Sequence, residues 1–424
     1  MDIIDKLLHS IPIPELARVE QKFDRPVVAD IEKDFSSKLH HSGVLKEISK
    51  GWQVAITVGS RSISNGPLIV KLLVKELKKR GADPFIIPAM GSHGGASALG
   101  QRNMLESMGF TESYVQAPIR SSMEVVQLGK TSKSLPVYID RYAHKADAII
   151  IFNRIKPHVS FRGNFESGLL KMIAIGLGKQ KGAEACHELG FEPMEQNIID
   201  IARISLNRSR ISFAVGLIEN GYHETCSIEI LKKEEIEQKE PALQQRAKDL
   251  LPRIFFKELD ILIIDEIGKD ISGTGFDTNV VGYFHTPCAY AIGSPDIARI
   301  AVLDLTEASH GNANGLGILD FTTRRLFNKL RFDQTYPNAL TSTVPLSAKI
   351  PMVLKNDRLA IQAAIKTCNI ADKKEVRMVR IKNTIKVDQI EVSGNLLEEV
   401  RNHEKQRILS DPCPLDFDEH GNLF

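Results

Sequence analysis

Three histidines and one lysine lie in segments where their side chains could carry out chemistry. His93 lies in GSHGG, His158 in KPHVS, Lys171 in GLLKMIAIG, and His187 at the end of the GLGKQKGAEACH segment that follows that lysine. Imidazole titrates near neutral pH and suits general acid or base catalysis. A lysine among apolar neighbours either extends its amine to the surface or keeps a lowered pKa and reacts with a carbonyl-like carbon.

A further loop, SRSISN at 60–65, places Ser60 and Arg61 just before a predicted helix. An arginine beside a helix N-terminus is suited to binding phosphate. Taken one at a time, these residues are more often structural, such as a loop histidine satisfied by the backbone. The segment GLGKQKGA resembles a triphosphate loop only in composition, because no clear strand precedes it and its spacer has the wrong length.

The elements that must position these residues alternate between strands and helices. Apolar runs at 52–58, 84–89 and 148–152 predict buried strands, and apolar residues at helical spacing predict helices over 67–80 and 98–108. A polar loop follows each strand. Because this order is typical of a parallel sheet, the loops at the carboxyl ends of the strands are expected to share one edge.

The second half of the chain predicts another α/β unit. Its first strand covers 259–265, and the charged run at 232–239 predicts a solvated linker helix before it. Residues 1–50 are predicted to be peripheral. We therefore expect an α/β protein of two domains with mainly parallel sheets and an active-site cleft between them. Residues 1–253 would form the catalytic and cofactor-binding domain, and residues 254–424 a C-terminal domain that closes the cleft.

Composition excludes several classes of function. The net charge of +2 gives no reason to expect binding to nucleic acid or to an anionic membrane. No apolar run approaches the roughly 20 residues that span a bilayer. The acidic start of the chain is unlike a signal peptide, and five widely spaced cysteines without a CxxC pair indicate a reduced, cytoplasmic protein.

Considered together, His93, His158, Lys171 and His187 resemble the site of the nickel-dependent lactate racemase family. The resemblance rests on their order, on the spacing from Lys171 to His187, and on the SRSISN loop, which matches that family's Thr-Arg phosphate loop. It covers most of the segment 1–190 and continues more loosely into the second domain.

The resemblance implies a nickel-pincer nucleotide, a nicotinic-acid derivative tethered to Lys171 through a thioamide, with nickel bound by His187. His93 and His158 would be the two acid/base residues, and Ser60 and Arg61 would bind the cofactor phosphate. The implied reaction is racemisation or epimerisation of a 2-hydroxy acid by proton-coupled hydride transfer. The implied partners are the small-molecule substrate and the proteins that make the cofactor, and self-assembly into a homo-oligomer is compatible with it.

The chain departs from the family pattern at identifiable positions. Val58 and Ser60 stand where the family has Asp and Thr, and SGLLK replaces a Ser-Gly-Gly-Arg-Lys sequence before the tether. These departures indicate a divergent paralogue that acts on a 2-hydroxy acid other than lactate. Candidate residues for binding the substrate carboxylate or its other hydroxyls in the second domain are Arg324, Arg325, Lys269 and Asn279.

Two alternatives remain open from the sequence. One is a metal-assisted lyase or dehydratase of a sugar acid that uses the two histidines without hydride transfer. The other is a non-catalytic protein that binds an organic acid or a nucleotide.

Overall fold

A computed structural model describes residues 3–424 of the chain, which form two compact units. The central unit is Arg25–Leu250, and the terminal unit combines residues 3–24 with Leu251–Phe424. Residues 3–24 contain helix α1 (Ile3–Leu8) and strand β1 (Leu16–Gln21). Residues 3–24 therefore lie in the same unit as Leu251–Phe424 and not with Arg25–Leu250.

The central unit alternates strands and helices through most of its length. In chain order its elements are α2 (Ile31–Ser42), β2 (Gln53–Val58), α3 (Gly66–Lys79), β3 (Asp83–Pro88), α4 (Ala98–Ser107), α5 (Glu112–Val115), β4 (Val125–Lys130), β5 (Pro136–Asp140), α6 (Arg141–Lys145), β6 (Ala148–Arg154), α7 (Leu169–Lys171), α8 (Lys179–His187), α9 (Met194–Arg208), β7 (Ile211–Glu219), β8 (Thr225–Lys232) and α10 (Ile236–Asp249).

A five-stranded sheet forms the centre of this unit, in the order β3-β2-β6-β7-β8. The first four strands are parallel, and β8 pairs antiparallel with β7. Residues of β2, β6 and β7 such as Ile56, Ile150 and Val215 are fully buried in one core cluster with helix α3. Strands β4 and β5 form a separate antiparallel hairpin.

Local signals explain the helix boundaries that matter for the site. Helix α3 begins with Pro67 in its first turn, where the missing proline N–H costs nothing, and buries Ile69, Leu73 and Leu77. Helix α4 begins after Ser97, whose hydroxyl accepts a hydrogen bond from Gly100 N at 3.1 Å. The predicted helices at 67–80 and 98–108 therefore agree closely with the observed ones.

The terminal unit continues after Leu250 with mixed elements. They are β9 (Glu258–Ile267), α11 (Thr278–Val281), β10 (Asp296–Leu305), β11 (Phe321–Thr323), α12 (Arg324–Lys329), α13 (Phe332–Thr341), β12 (Met352–Leu354), α14 (Asp357–Thr367), β13 (Met378–Ile381), β14 (Gln389–Ser393), α15 (Leu397–Arg401) and β15 (Gln406–Ile408).

An eight-stranded sheet runs through the terminal unit in the order β12-β11-β10-β9-β13-β14-β1-β15. The five strands from β12 to β13 are parallel, and the last three pair antiparallel. Along β9, Ile261 and Ile263 enter one core cluster, whereas Leu262 and Ile264 enter the other. Both faces of the sheet are therefore covered, which explains the uninterrupted apolar run in the sequence. The predicted α/β class with mainly parallel sheets is confirmed.

The prediction that residues 1–50 are peripheral is wrong for β1. That strand pairs with β14 on one side and β15 on the other, with Val19 opposite Ile390 and Ile408. Its pairing partners lie near the opposite end of the chain, so no local pattern could indicate them. Over residues 3–424, the helices are all too short or too polar to cross a membrane.

Candidate active site

The six residues singled out from the sequence all lie in the central unit, at strand ends or on the helices that follow. Strands β2, β3 and β6 are parallel neighbours, so the loops after them share one edge of the sheet. Ser60 and Arg61 follow β2, His93 follows β3, His158 follows β6, Lys171 ends α7 and His187 ends α8.

Two aromatic rings bring the lysine and two of the histidines together. The ring of Phe161 lies 4.5 Å from that of His158, and Lys171 Nζ lies 6.0 Å from the Phe161 centroid. The ring of Phe191 lies 5.4 Å from His187 and 6.2 Å from both His158 and Phe161. His158, Lys171 and His187 therefore surround one apolar surface made by Phe161 and Phe191.

His93 and Arg61 form a second pair at the neighbouring strand ends. Arg61 Nη2 lies 3.4 Å from His93 Nε2, and Arg61 Nη1 donates to Ser60 O at 2.8 Å. His93 Nδ1 lies 2.8 Å from Met90 O, and only a protonated nitrogen can donate to that carbonyl. The neutral His93 ring therefore carries its proton on Nδ1 and keeps a lone pair on Nε2.

His158 is held in the opposite tautomer. The backbone N–H of Ser160 donates to His158 Nδ1 at 3.0 Å, so that nitrogen is an acceptor and the proton of the neutral ring is on Nε2. The His158 backbone N–H donates to Glu166 Oε2 at 2.7 Å. The two catalytic candidates thus differ at Nε2, where His93 presents a lone pair and His158 an N–H donor.

The surroundings of Lys171 oppose its charge. Burial lowers the pKa of the Lys171 amine to about 7. Lys156 and Arg61 act in the same direction, whereas Cys186 and Glu166 act in the opposite direction without outweighing burial. A substantial fraction of the Lys171 side chain is therefore a neutral, nucleophilic amine at pH 7.

His187 is a neutral imidazole in this environment. Burial lowers its pKa to about 4, and Lys171 adds to the effect, whereas the bond to Ala183 opposes it. His187 Nδ1 donates to Ala183 O at 2.7 Å, which leaves Nε2 as the ligand atom. Within residues 3–424, no three His, Cys, Asp or Glu side chains are grouped to hold a metal ion.

The loop that carries His158 is organised around Glu166, to which the sequence assigned no role. Its fully buried carboxylate accepts from Gly163 N at 3.1 Å and from His158 N, and pairs with Lys248 Nζ at 2.7 Å. Arg162 lies 3.6 Å from the same carboxylate. Because a buried charge needs partners, these two cations and two amides fix the loop around one point.

The loop that carries His93 is supported by a buried ion pair that no sequence spacing indicates. Lys179 Nζ lies 3.2 Å from Asp140 Oδ2 and 3.2 Å from Gln101 Oε1, and it also donates to Pro88 O. Gln101 Nε2 in turn donates to His93 O at 3.1 Å. The first lysine of GLGKQKGA, Lys179, therefore has a structural role and is not a phosphate ligand.

Glycine is required at one point of the same loop. Gly94 has a φ of +67°, and a Cβ there would lie 2.7 Å from both Gln101 N and Gly100 C. Any side chain at this position would push the His93 loop away from α4.

The loop that carries Arg61 is anchored through Glu219. Ser64 N donates to Glu219 Oε1 at 2.7 Å, and Glu219 forms a buried ion pair with Arg154. Burial alone would raise the pKa of Glu219, but Arg154, His223 and the Ser64 N–H outweigh it and hold the value at about 2. This carboxylate therefore stays charged and keeps the loop in place.

The substrate-binding candidates of the terminal unit are engaged in local contacts. Arg325 pairs with Asp304 at 3.2 Å and with Asp357 at 3.0 Å, whereas the exposed Arg324 lies over the Phe327 ring at 5.7 Å. The two adjacent arginines thus differ in environment.

Lys269 and Asn279 also have local partners. Lys269 Nζ donates to Gly273 O at 2.6 Å, and Asn279 Nδ2 donates to Asp277 Oδ1 at 2.8 Å. These bonds stabilise the glycine-rich segment after β9.

Comparison with known proteins assigns the part of the chain that carries this site to a family. Residues 14–197 match the family model described as the lactate racemase N-terminal domain. This segment contains all six predicted site residues. Residues 14–197 are therefore similar to the N-terminal domain of the lactate racemase family.

One solved structure extends the likeness beyond residues 14–197. The lactate racemase apoprotein from Thermoanaerobacterium thermosaccharolyticum matches with a TM-score of 0.53 and 14% identity over 88% of this chain and 99% of that chain. A structural-genomics protein from Thermotoga maritima matches with a TM-score of 0.49 and 15% identity over 66% of this chain and 72% of that chain. The comparison with curated proteins gives no match. At 14% identity, the likeness to the apoprotein shows a similar fold and nothing about function.

Phe161, Phe191 and Glu166 are the site residues to which the sequence assigned no role. A usable signal existed for the aromatic pair, because Phe161 and Phe191 are phenylalanines in the polar segments next to His158 and His187. A ring beside each histidine, at the end of a buried strand or helix, is a reasonable indicator of an apolar site surface.

Proposed function

We propose that the protein is a racemase or epimerase of a 2-hydroxy acid that uses a nickel-pincer nucleotide tethered to Lys171. The observation that carries the proposal is the shared surface of Phe161 and Phe191, around which a lysine of lowered pKa and two histidines meet. The similarity of residues 14–197 to the lactate racemase N-terminal domain supports this reaction class.

The residues present fit such a cofactor. A Lys171 amine with a pKa of about 7 can form an amide-type bond near neutral pH, and His187 offers a neutral Nε2 of the kind that binds nickel. Ser60 and Arg61 lie next to the start of α3 and would bind the phosphate. When bound, such a cofactor would supply hydride-transfer chemistry that side chains alone lack.

The two catalytic histidines would handle the proton of the 2-hydroxyl group. His93 would accept it at Nε2 once Arg61 Nη2, which lies 3.4 Å from that nitrogen, turns to the cofactor phosphate. His158 presents an N–H at Nε2 and donates a hydrogen bond to the substrate oxygen. For His158 to act as the base for the opposite enantiomer, its proton must move to Nδ1, which breaks the bond from Ser160.

The tether is tested by intact mass spectrometry of protein co-expressed with the cofactor-making proteins. We expect an adduct on Lys171 and none in Lys171→Arg, since arginine cannot form the bond. Lys181→Arg is the matched control, because Lys181 is exposed and lies further along the same stretch. Full loading of Lys171→Arg would exclude this tether.

The reaction class is tested with a panel of 2-hydroxy acids that carry deuterium on C2. Hydride return keeps this label in the product, whereas proton abstraction by a lyase or dehydratase exchanges it with water. Turnover that is lost in His93→Ala and retains the label would support the proposal. Exchange of the deuterium with water would favour the lyase alternative. The absence of turnover in protein that carries the cofactor would favour a binding protein.

A further inference from the structure

Glu240 is a buried carboxylate that the proposed reaction does not use. It lies on α10, is fully buried, and accepts hydrogen bonds from Leu169 N at 2.7 Å and Leu170 N at 2.9 Å. These amides begin the short helix α7 that ends at Lys171. The first N–H groups of a helix have no partner within it, so Glu240 satisfies two donors at the start of the lysine turn.

Gly168 provides the space that this carboxylate occupies. An added Cβ at Gly168 would overlap Glu240 Oε1. The Gly168 carbonyl also accepts a hydrogen bond from Asn153 Nδ2 at 2.7 Å, which ties the same point to the end of β6. The SGLLK sequence before the lysine therefore carries a glycine because a side chain from a distant helix fills that space.

The turn that follows is unusual and needs a fixed start. Met172–Gly176 continues α7 as a π-helical turn, in which Leu177 N donates to Met172 O at 2.9 Å. Such turns are rare and cluster at functional sites. Since Lys171 stands between the bonds to Glu240 and the π turn, a shift of either end would redirect its amine.

We propose that Glu240 is a positioning residue for Lys171, because its carboxylate fixes the start of the turn that holds the amine beside Phe161. This inference rests on the proposed tether role of Lys171. A role in packing alone would not require an acid here. Burial raises the pKa of Glu240 to about 7, so the fold retains a costly acid where a neutral side chain would be easier to bury.

The test measures the reactivity of the Lys171 amine in the cofactor-free protein. Site-resolved acylation by acetic anhydride across pH 6–11, read by peptide mass spectrometry, gives the apparent pKa of Lys171. Glu240→Gln keeps one acceptor but sets an amide N–H₂ against the second backbone N–H. We expect the turn to loosen and the amine to gain water. The apparent pKa should then rise by about one unit or more, and the rate at pH 7 should fall roughly tenfold.

A second variant reaches the same contact from the opposite side. Gly168→Ala leaves Glu240 unchanged but displaces its carboxylate, so it should reproduce the shift in the Lys171 profile. The effects of Gly168→Ala and Glu240→Gln should be strongly non-additive in the double variant if both act through one contact. Independent, additive effects would overturn the inference.

Glu237→Gln is the control, because Glu237 lies on the same helix as Glu240 but forms only a surface ion pair, with Arg203. It should leave the Lys171 profile unchanged. Thermal unfolding of each variant identifies any that has lost its structure. An unchanged Lys171 profile in folded Glu240→Gln and Gly168→Ala would overturn the positioning role. The proposed reaction is tested separately, because the acylation assay requires neither cofactor nor turnover.

Discussion

Lys171 and Lys179 are close in sequence and lie in the same unit, yet their environments are opposite. Lys179 is fully buried against Asp140, Gln101 and Pro88 O. The side chain of Lys171 is only partly buried, and its amine lies over the face of Phe161. Burial of the amine therefore does not by itself distinguish the two lysines, because it lowers the pKa of both.

The difference shows that a carboxylate partner, and not burial, separates a structural lysine from a reactive one. Asp140 favours the charged form of Lys179 and so partly offsets the desolvation that lowers its pKa. The surroundings of Lys171 include the cations Lys156 and Arg61, which add to the effect of burial. A neutral amine can form covalent bonds, whereas a paired ammonium cannot.

The largest effect is expected when the Lys179 pair is broken. Asp140→Asn leaves a buried ammonium without its counter-charge, and the free energy of unfolding should fall by about 3–5 kcal/mol. Urea denaturation measures the loss. Because Gln101 links Lys179 to the His93 loop, the same variant should also broaden the NMR signals of the His93 ring.

This comparison would be contradicted if Asp140→Asn left the free energy of unfolding almost unchanged. Lys179→Met combined with Asp140→Leu serves as the control, since removing both charges should restore most of the lost stability. A double variant as unstable as the single one would mean that packing, and not the charge pair, dominates at this position.

Replacing the reactive lysine is expected to raise the free energy of unfolding and not to lower it. Lys171→Met removes an amine whose charged form the fold disfavours, so the free energy of unfolding at pH 7 should rise by about 4 kcal/mol, since the pKa is lowered from 10.5 to about 7 and each pKa unit corresponds to about 1.4 kcal/mol. The folded-state pKa of about 7 lies below the ordinary value of 10.5. The loss of stability that the charged Lys171 amine causes in the wild type is therefore complete below pH 7, and it disappears as the pH rises to 10.5.

Urea titrations of both proteins between pH 6 and 11 check this dependence. The two stability curves should converge as the pH increases, and the free energy of unfolding of the wild type should rise more steeply over that range. A Lys171→Met variant less stable than the wild type at pH 7 would show that the amine is paired and charged in solution.

The sequence predicts the local elements well because their signals are local. The strand over 52–58 and the helix over 67–80 follow from apolar spacing and a proline in the first helical turn, which act over short stretches of chain. The α/β class follows from the order of those elements. The pairing of β1 with β14 depends on contacts across the whole chain and has no such signal.

The candidate site shows the same limit. Residue type and position after a strand were enough to select His158, Lys171 and His187, which the structure brings around one aromatic surface. The supporting carboxylates are tertiary partners. Asp140 meets Lys179 from the end of a different element, β5, and Glu240 reaches α7 from α10, a helix that the charge run at 232–239 predicts to be solvated.

The smallest effects are expected at the adjacent arginines of the terminal unit, which extend the comparison to a second pair of cations. Arg325→Ala removes the partner of the buried Asp357 and should lower the free energy of unfolding by about 1–2 kcal/mol. Arg324→Ala changes an exposed side chain and should stay within about 0.5 kcal/mol of the wild type. Urea denaturation of both variants at pH 7 provides the measurement. If Arg324→Ala proved the more destabilising, pairing with a carboxylate would no longer distinguish structural cations from the rest.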